Sequence, residues 1–247
     1  MILRSFLHQD PIAISYLIGC VGKGAGAVVD PLYPLEPYLD AARAAGTPIR
    51  IVIDTHLHAD HRSAGRDLAA AAGAEYALQA TAATGYGFRR LEEGERIELG
   101  NVVLEVLHTP GHTPEHLCLL VTDRTRAEEP WLLLSGHTLM VGDVGRTELA
   151  SDAAAGARDL FASLARLKRL AEHVEILPGA FAGSACGRGL SGKPGSTIGF
   201  ERRYNRAFAT ASEADFIAFM LAEIPPPPAA AAEMRAHNAG LAAKAVA

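Results

Sequence analysis

The chain has 247 residues and a net charge of -5, with 49% hydrophobic and 21% charged residues. This is ordinary globular composition, long enough to bury a core in one layered α/β domain. The acidic balance and the shortness of the one basic cluster, Glu201–Arg206, argue against a nucleic-acid partner. Cys20, Cys118 and Cys186 are too few and too scattered for a disulfide framework or a CxxC metal pair, the first twenty residues lack signal-peptide organisation, and no apolar run nears a membrane span; a cytoplasmic protein with no membrane partner is expected.

In chain order, Ala13–Val21 and Gly26–Leu32 are β-branched runs separated by glycine and predict a strand pair. Pro34–Gly46 has helical spacing and a glycine where a C-cap belongs. Ile49–Thr55 reads as a buried strand, Arg62–Ala74 as an Ala-rich helix and Glu75–Ala80 as a return strand. Two alternating runs around Gly100-Asn101 predict a hairpin. His116–Asp123 and Pro130–Val141 read as further strands, Ala153–His173 as an amphipathic helix and Val174–Gly179 as the strand after it. A glycine- and serine-rich loop from Gly183 then leads into a helix. Ser212 is the expected N-cap of a helix over Ser212–Ile224, and Pro225–Pro228 stiffens the chain before an Ala-rich tail. That tail reads equally as a docked helix, a contact between copies in a homo-oligomer, or a frayed end. The balance of strands and helices suits two sheets with helices outside them.

The stretch "THLHADH" places His56, His58, Asp60 and His61 directly after a strand. On extended backbone, residues two apart share a side, so His56 and His58 can converge on one ion while the following turn brings Asp60 and His61 near it. Imidazole suits zinc, iron or nickel, and the carboxylate adds hard oxygen character.

These residues match the HxHxDH motif of the metallo-β-lactamase superfamily. "LHTPGHTPEHLCLLV" (Leu107–Val121) resembles the segment supplying the next histidine, here His112, and Leu132–Leu149 and Ile176–Arg203 resemble the later segments. The wording "HADH" and "TPGHTPEH" is similar to the persulfide dioxygenase branch, a sister of glyoxalase II. The resemblance covers roughly residues 12–205 and implies an α/β fold, an αββα sandwich of the metallo-β-lactamase type; the domain is expected to span residues 1–210, with residues 211–247 as a C-terminal helical extension packing on it or on a partner subunit. In dinuclear members the positions of His56, His58 and His112 hold one ion. Those of Asp60 and His61, with a final histidine, hold the second, and an aspartate bridges. In persulfide dioxygenases a single iron uses the positions of His56, His112 and that aspartate.

Two positions depart from the pattern. His137 stands where the aspartate is expected, and Ala180 where the last histidine is expected. Asp143, six residues after His137, does not restore the carboxylate. A neutral imidazole does not bridge two cations, so one metal ion, iron or zinc, is expected, with a second, weaker site. Asp60 and His137 are the candidate catalytic residues as well as candidate ligands. His108 and His116 are expected to be supports rather than ligands. Arg146, Arg188 and Lys193 are candidate contacts to the carboxylates of a small, glutathione-derived substrate; loop and helix-end charges are the competing reading. Cys186 is set aside as a nucleophile because a metal already supplies the chemistry. Three functions remain: oxidation of a glutathione persulfide at iron, zinc-dependent hydrolysis of a thioester or lactone, and a metal-binding protein without activity.

Overall fold

Alternation along the strands decides the layers of the computed structural model, which describes residues 1–222, 224 and 226–241. One six-stranded sheet runs β1 (Ile2–Gln9), β2 (Ile12–Cys20), β3 (Ala25–Val29), β4 (Ile49–Ile53), β5 (Glu75–Gln79) and β6 (Arg89–Leu91), in spatial as in chain order. The other runs β7 (Arg96–Leu99), β8 (Val102–His108), β9 (Leu117–Asp123), β10 (Leu132–Gly136), β11 (Glu175–Pro178) and β12 (Ser196–Thr197). β3, β4 and β5 pair in parallel, as do β10 and β11. Parallel neighbours need a crossover, and these carry α1 (Glu36–Ala44), α2 (Gly65–Ala72) and α3 (Ala153–Leu167). Among the described residues, four helices follow β12: α4 (Ile198–Tyr204), α5 (Arg206–Ala209), α6 (Glu213–Ala222) and α7 (Ala231–Asn238).

In β2, Ile14, Tyr16 and Ile18 face Leu104, Val106, Leu117 and Leu119 of the opposite sheet. Leu17, between them, faces outward onto Tyr38, Ala42 and Leu68 of α1 and α2. In β9 the out-facing Cys118 and Leu120 join Leu160 and Leu164 of α3 and Phe216 of α6 in the other outer layer. The period of two thus builds three apolar seams, and the expected αββα sandwich is present.

Sequence and structure part in a few places. β1 was not anticipated: it is an edge strand whose residues are mostly half-buried or exposed, so its apolar signal is weak. The strand expected over residues 130–141 stops at Gly136, where a φ of +50° turns the chain. The helix expected to reach His173 ends at Leu167. Ser212 does cap α6, its Oγ accepting the N–H of Asp215 at 3.3 Å. Of the Ala-rich tail, residues 242–247 lie outside the described residues.

Candidate metal centre

The site grows from the ends of β3 and β4. Asp30, after β3, adopts a φ of +50°, a state costly for a residue with a side chain and typical of functional sites. Its carboxylate accepts hydrogen bonds from Thr55 N–H (2.6 Å), Thr55 Oγ1 (2.9 Å) and His58 Nε2 (3.1 Å). These bonds fix the tautomers. The Thr55 hydroxyl spends its proton on Asp30, so its oxygen accepts Nδ1–H of His56 at 3.0 Å. His56 Nε2 and His58 Nδ1 are left as buried nitrogens with no hydrogen-bond partner. His112 donates Nδ1–H to the Arg146 carbonyl at 2.7 Å, which makes its Nε2 a lone-pair donor to a metal, here accepting a hydrogen bond from His137 Nδ1 at 3.2 Å. Metal-binding histidines are typically oriented this way, through the other ring nitrogen.

The turn at Gly136 delivers His137. A Cβ at Gly136 would lie 2.6 Å from His116 Nε2 and 2.8 Å from Thr55 Oγ1, so only glycine admits this approach. The His137 N–H donates to His116 Nε2 at 3.0 Å, and His116 Nδ1 meets the hydroxyls of Thr138 and Thr109 at 2.9 and 3.1 Å. Both nitrogens of His116 are therefore engaged, and it props His137 instead of ligating. His108 binds the Pro114 carbonyl.

One ligand atom each from His56, His112 and His137 lies within 4.8 Å of the others. His137 Nδ1 stands 3.2 Å from His112 Nε2. His58 instead shares a group with His56 and Asp60, and a further group joins Asp60, His137 and Cys186. His61 Nδ1 lies 3.2 Å from Asp60 Oδ2. The side chains of His56, His58, His61, His112 and His137 are all buried.

Desolvation, reinforced by repulsion among the imidazoles, holds His56 well below its ordinary pKa and His112 at about 3. Desolvation also brings His137 to about 4, against the attraction of Asp60. These three rings stay neutral at physiological pH with lone pairs available, a donor set suited to a dication. Burial opposes a charge on His58 too, but the Asp30 carboxylate raises it well above its ordinary value. Asp60, despite burial, is held well below the carboxylate range by His61 and His58. The orphaned nitrogens fit a bound metal, and so do the Asp60 oxygens, which face His58 Nδ1 at 3.7 Å and His61 Nδ1 at 3.2 Å but accept no hydrogen bond: each is a buried polar atom that otherwise costs free energy. Asp60 also lines a cleft of about 300 Å³ with Asp10, Ile12, Gly183, Ser184 and Ala185.

The basic candidates are not gathered at this cleft. Arg146 is buried, its guanidinium bound to Glu148 and to the carbonyls of Ala185 (3.1 Å) and Pro226 (3.4 Å). Arg188 stacks on Phe219 and bonds its carbonyl at 3.0 Å, in a cleft with Asp143 and Arg206. Lys193 is exposed, bonds the Gly195 carbonyl and lines another cleft with Glu201 and Tyr204. Asp143 accepts the N–H groups of Arg188 and Gly189, so it pins that loop. Ala180 is buried.

Glu115, Arg235 and Asn238 were not legible as site residues. Glu115 accepts Leu57 N–H at 2.9 Å, Arg235 donates to the Leu57 carbonyl at 2.7 Å, and Asn238 donates to the carbonyls of His58 and His61 at 2.8 Å each. Glu115, in the segment beside His112, carried at most a proximity signal; the two residues of α7 carried none.

A family model described as the metallo-beta-lactamase superfamily matches residues 12–179, most of the chain. The chain belongs to the metallo-β-lactamase superfamily. Within that superfamily it is 36% identical over 169 residues to a hydroxyacylglutathione hydrolase of Polaromonas sp., covering 67% of this chain and 60% of that protein. It is 34% identical over 134 residues to the enzyme of the same name in Rhodospirillum rubrum, covering 53% and 49%. It thus spans roughly half to three-fifths of the length of these relatives. A metallo-beta-lactamase of Staphylococcus aureus superposes with a TM-score of 0.91 at 34% identity, over 97% of this chain and 72% of that one. ETHE1 from Myxococcus xanthus superposes with a TM-score of 0.82 at 26% identity, over 98% and 100%. Hydroxyacylglutathione hydrolases are thus among its homologues, and ETHE1 is among its structural neighbours. None of the described helices is long and apolar enough to cross a membrane.

Proposed function

We propose that this chain is a metal-dependent enzyme with one tightly held ion at His56, His112 and His137, and that its reaction is the oxidation of a glutathione persulfide with iron as the metal. The observation that carries this reading is the placement of His137: an imidazole, propped by His116, completes a compact three-nitrogen group where the superfamily pattern has an aspartate. Similarity to ETHE1 over nearly the full chain supports the branch. Iron in such a group supplies redox chemistry and coordination positions beyond its protein ligands. The protein's part is to fix the three rings through Thr55, the Arg146 carbonyl and His116, and to keep them neutral by burial. Asp60, ionised and bordering the cleft, accepts a proton donor of the substrate or of a water there. The substrate enters as a small thiol-linked molecule, consistent with the names of the hydrolase relatives.

Those relatives also favour a second reading, a zinc-dependent hydrolase of a glutathione thioester. Three histidines holding zinc with a water, whose pKa falls to about 7, make a catalytic set of known type. Metal content and oxygen uptake separate the two. Protein expressed with iron and zinc both present is expected to hold one tight iron per chain and to consume oxygen with glutathione persulfide. Turnover of a hydroxyacyl thioester of glutathione by the zinc form, with no oxygen uptake by the iron form, would replace the first reading by the second.

A further inference from the structure

Ala180 removes a ligand from the second metal position, but the loop beyond it brings another donor back. The end of β11 is held by Gly179 N–H to the Gly136 carbonyl at 2.8 Å and by Ile14 N–H to the Gly179 carbonyl at 2.7 Å. From there the loop passes Gly183, at a φ of +99°, and Ser184 Oγ accepts the N–H of Cys186 at 3.2 Å. Arg146 closes the loop down: its N–H donates to the Cys186 carbonyl at 3.1 Å, and its guanidinium bonds the Ala185 carbonyl. A residue first read as a substrate contact thus fixes the cysteine. Cys186 is 1% exposed, forms no disulfide, and its Sγ lies within 4.8 Å of a carboxylate oxygen of Asp60 and a ring nitrogen of His137.

The surroundings of this sulfur point to a cation independently of it. Both oxygens of Asp60, whose side chain is 8% exposed, lack a hydrogen-bond partner, and so does His137 Nε2, on a residue 1% exposed. A thiol beside a buried carboxylate and an unpartnered imidazole has the donors of a mixed sulfur, nitrogen and oxygen metal site, and thiolate favours zinc or another soft-to-borderline dication.

We propose that Asp60, His137 and Cys186 form a second, weaker metal site, in which Cys186 takes over the role vacated at Ala180. The proposal rests on the reading of His56, His112 and His137 as the tight centre; His137 belongs to both groups, and it holds two ions at once only as an imidazolate, its remaining ring proton leaving to solvent as the second ion binds. Asp60 lines the cleft together with Gly183, Ser184 and Ala185, so an ion held by Asp60, His137 and Cys186 would border that cleft.

Cobalt(II) titration of the metal-free chain tests this. The first equivalent is expected to give only the weak visible bands of a nitrogen-ligated ion. The second is expected to add a thiolate-to-cobalt charge-transfer band in the near ultraviolet. Cys186→Ala is expected to lose that band and bind one equivalent instead of two, with unchanged circular dichroism. A charge-transfer band that grows with the first equivalent would place Cys186 in the tight centre and overturn a separate site. Two equivalents bound by Cys186→Ala as tightly as by the parent would overturn the cysteine's role while leaving the tight centre standing. Failure of the parent to bind any cobalt would overturn both. Should the variant not fold, X-ray absorption on the zinc-saturated parent decides: a sulfur scatterer at about 2.3 Å supports the site, and its absence refutes it.

Discussion

Arg235 and Glu115 form a two-point ion pair, Nη1 to Oε1 at 3.0 Å and Nη2 to Oε2 at 2.9 Å, across 120 residues of sequence. The pair clasps the backbone of Leu57, the residue between His56 and His58: Glu115 takes its N–H, and Arg235 binds its carbonyl. Against the cost of burial, Arg235 holds the Glu115 carboxyl below its usual range. α7 therefore reaches the metal motif from the far end of the chain, and Asn238 adds bonds to the carbonyls of His58 and His61.

Arg235→Ala leaves Glu115 buried and unpaired. With Arg235 itself partly exposed, the expected stability loss lies toward the low end of the about 3–5 kcal/mol typical of a broken buried pair. Metal affinity is expected to fall about 10–100-fold, as when a supporting bond to a ligand is removed. Chemical denaturation and chelator competition measure the two effects; an unchanged affinity would show that the clasp does not position the motif.

His112→Ala is expected to abolish binding at the tight centre, since its Nε2 faces the group and its other nitrogen is tied to the Arg146 carbonyl. Full metal occupancy in that variant would break the ligand assignment. His137→Asp restores the carboxylate of the superfamily pattern, and is expected to raise the affinity for a second ion because a carboxylate can bridge two cations. Unchanged stoichiometry and affinity would show that position 137 is not a bridging position.

The depressed histidines set the acid stability of the metal-free protein. Unfolded histidines titrate near 6.5, whereas folded His112 and His137 sit at about 3 and about 4 and His56 lies well below normal. Below 6.5 the unfolded chain binds more protons, so stability falls as pH drops, by about 1.4 kcal/mol per pH unit for each such histidine. His58 behaves oppositely: its raised pKa gives stability that is complete below 6.5 and lost as pH rises through the folded value. Urea denaturation of metal-stripped protein between about pH 6 and pH 5 should therefore show a loss of at least about 2 kcal/mol. A flat profile would mean that these rings are hydrated.

Gly136→Ala combines a φ of +50° with a Cβ 2.6 Å from His116 Nε2. The expected cost is on the order of 2 kcal/mol or more, with weakened metal binding because His116 and Thr55 must move. Gly46→Ala is the control: its φ is +61°, but nothing lies within 4 Å of the added Cβ. It should cost about 1 kcal/mol and leave metal binding intact.

What could be read from the chain divides by how local the information is. His56, His58, Asp60 and His61 are contiguous, so spacing alone places them at a strand end, and the Gly100-Asn101 turn joins β7 to β8 as expected. The grouping of His137 with His56 and His112 depends on the turn at Gly136 and the prop of His116, which no short stretch encodes. Arg146, Arg188 and Lys193 read as candidate substrate contacts or as loop and helix-end charges; Arg146 is tied to Glu148 and to the Ala185 carbonyl, Arg188 to Asp143 and the Phe219 carbonyl, and Lys193 to a carbonyl two residues away. Arg235 and Asn238 act through a tertiary contact spanning well over a hundred residues. Cys186 carried no motif, and its meaning depends on which loop folds beside Asp60.

The most direct measurement is the affinity of the first iron equivalent in His137→Ala against the parent, by chelator competition on metal-free protein. With His137 a ligand of the tight centre, that affinity falls by more than the about 10–100-fold loss of a supporting bond. Undiminished affinity would return the tight ion to His56, His58 and His112 and contradict the three-histidine centre proposed for this chain.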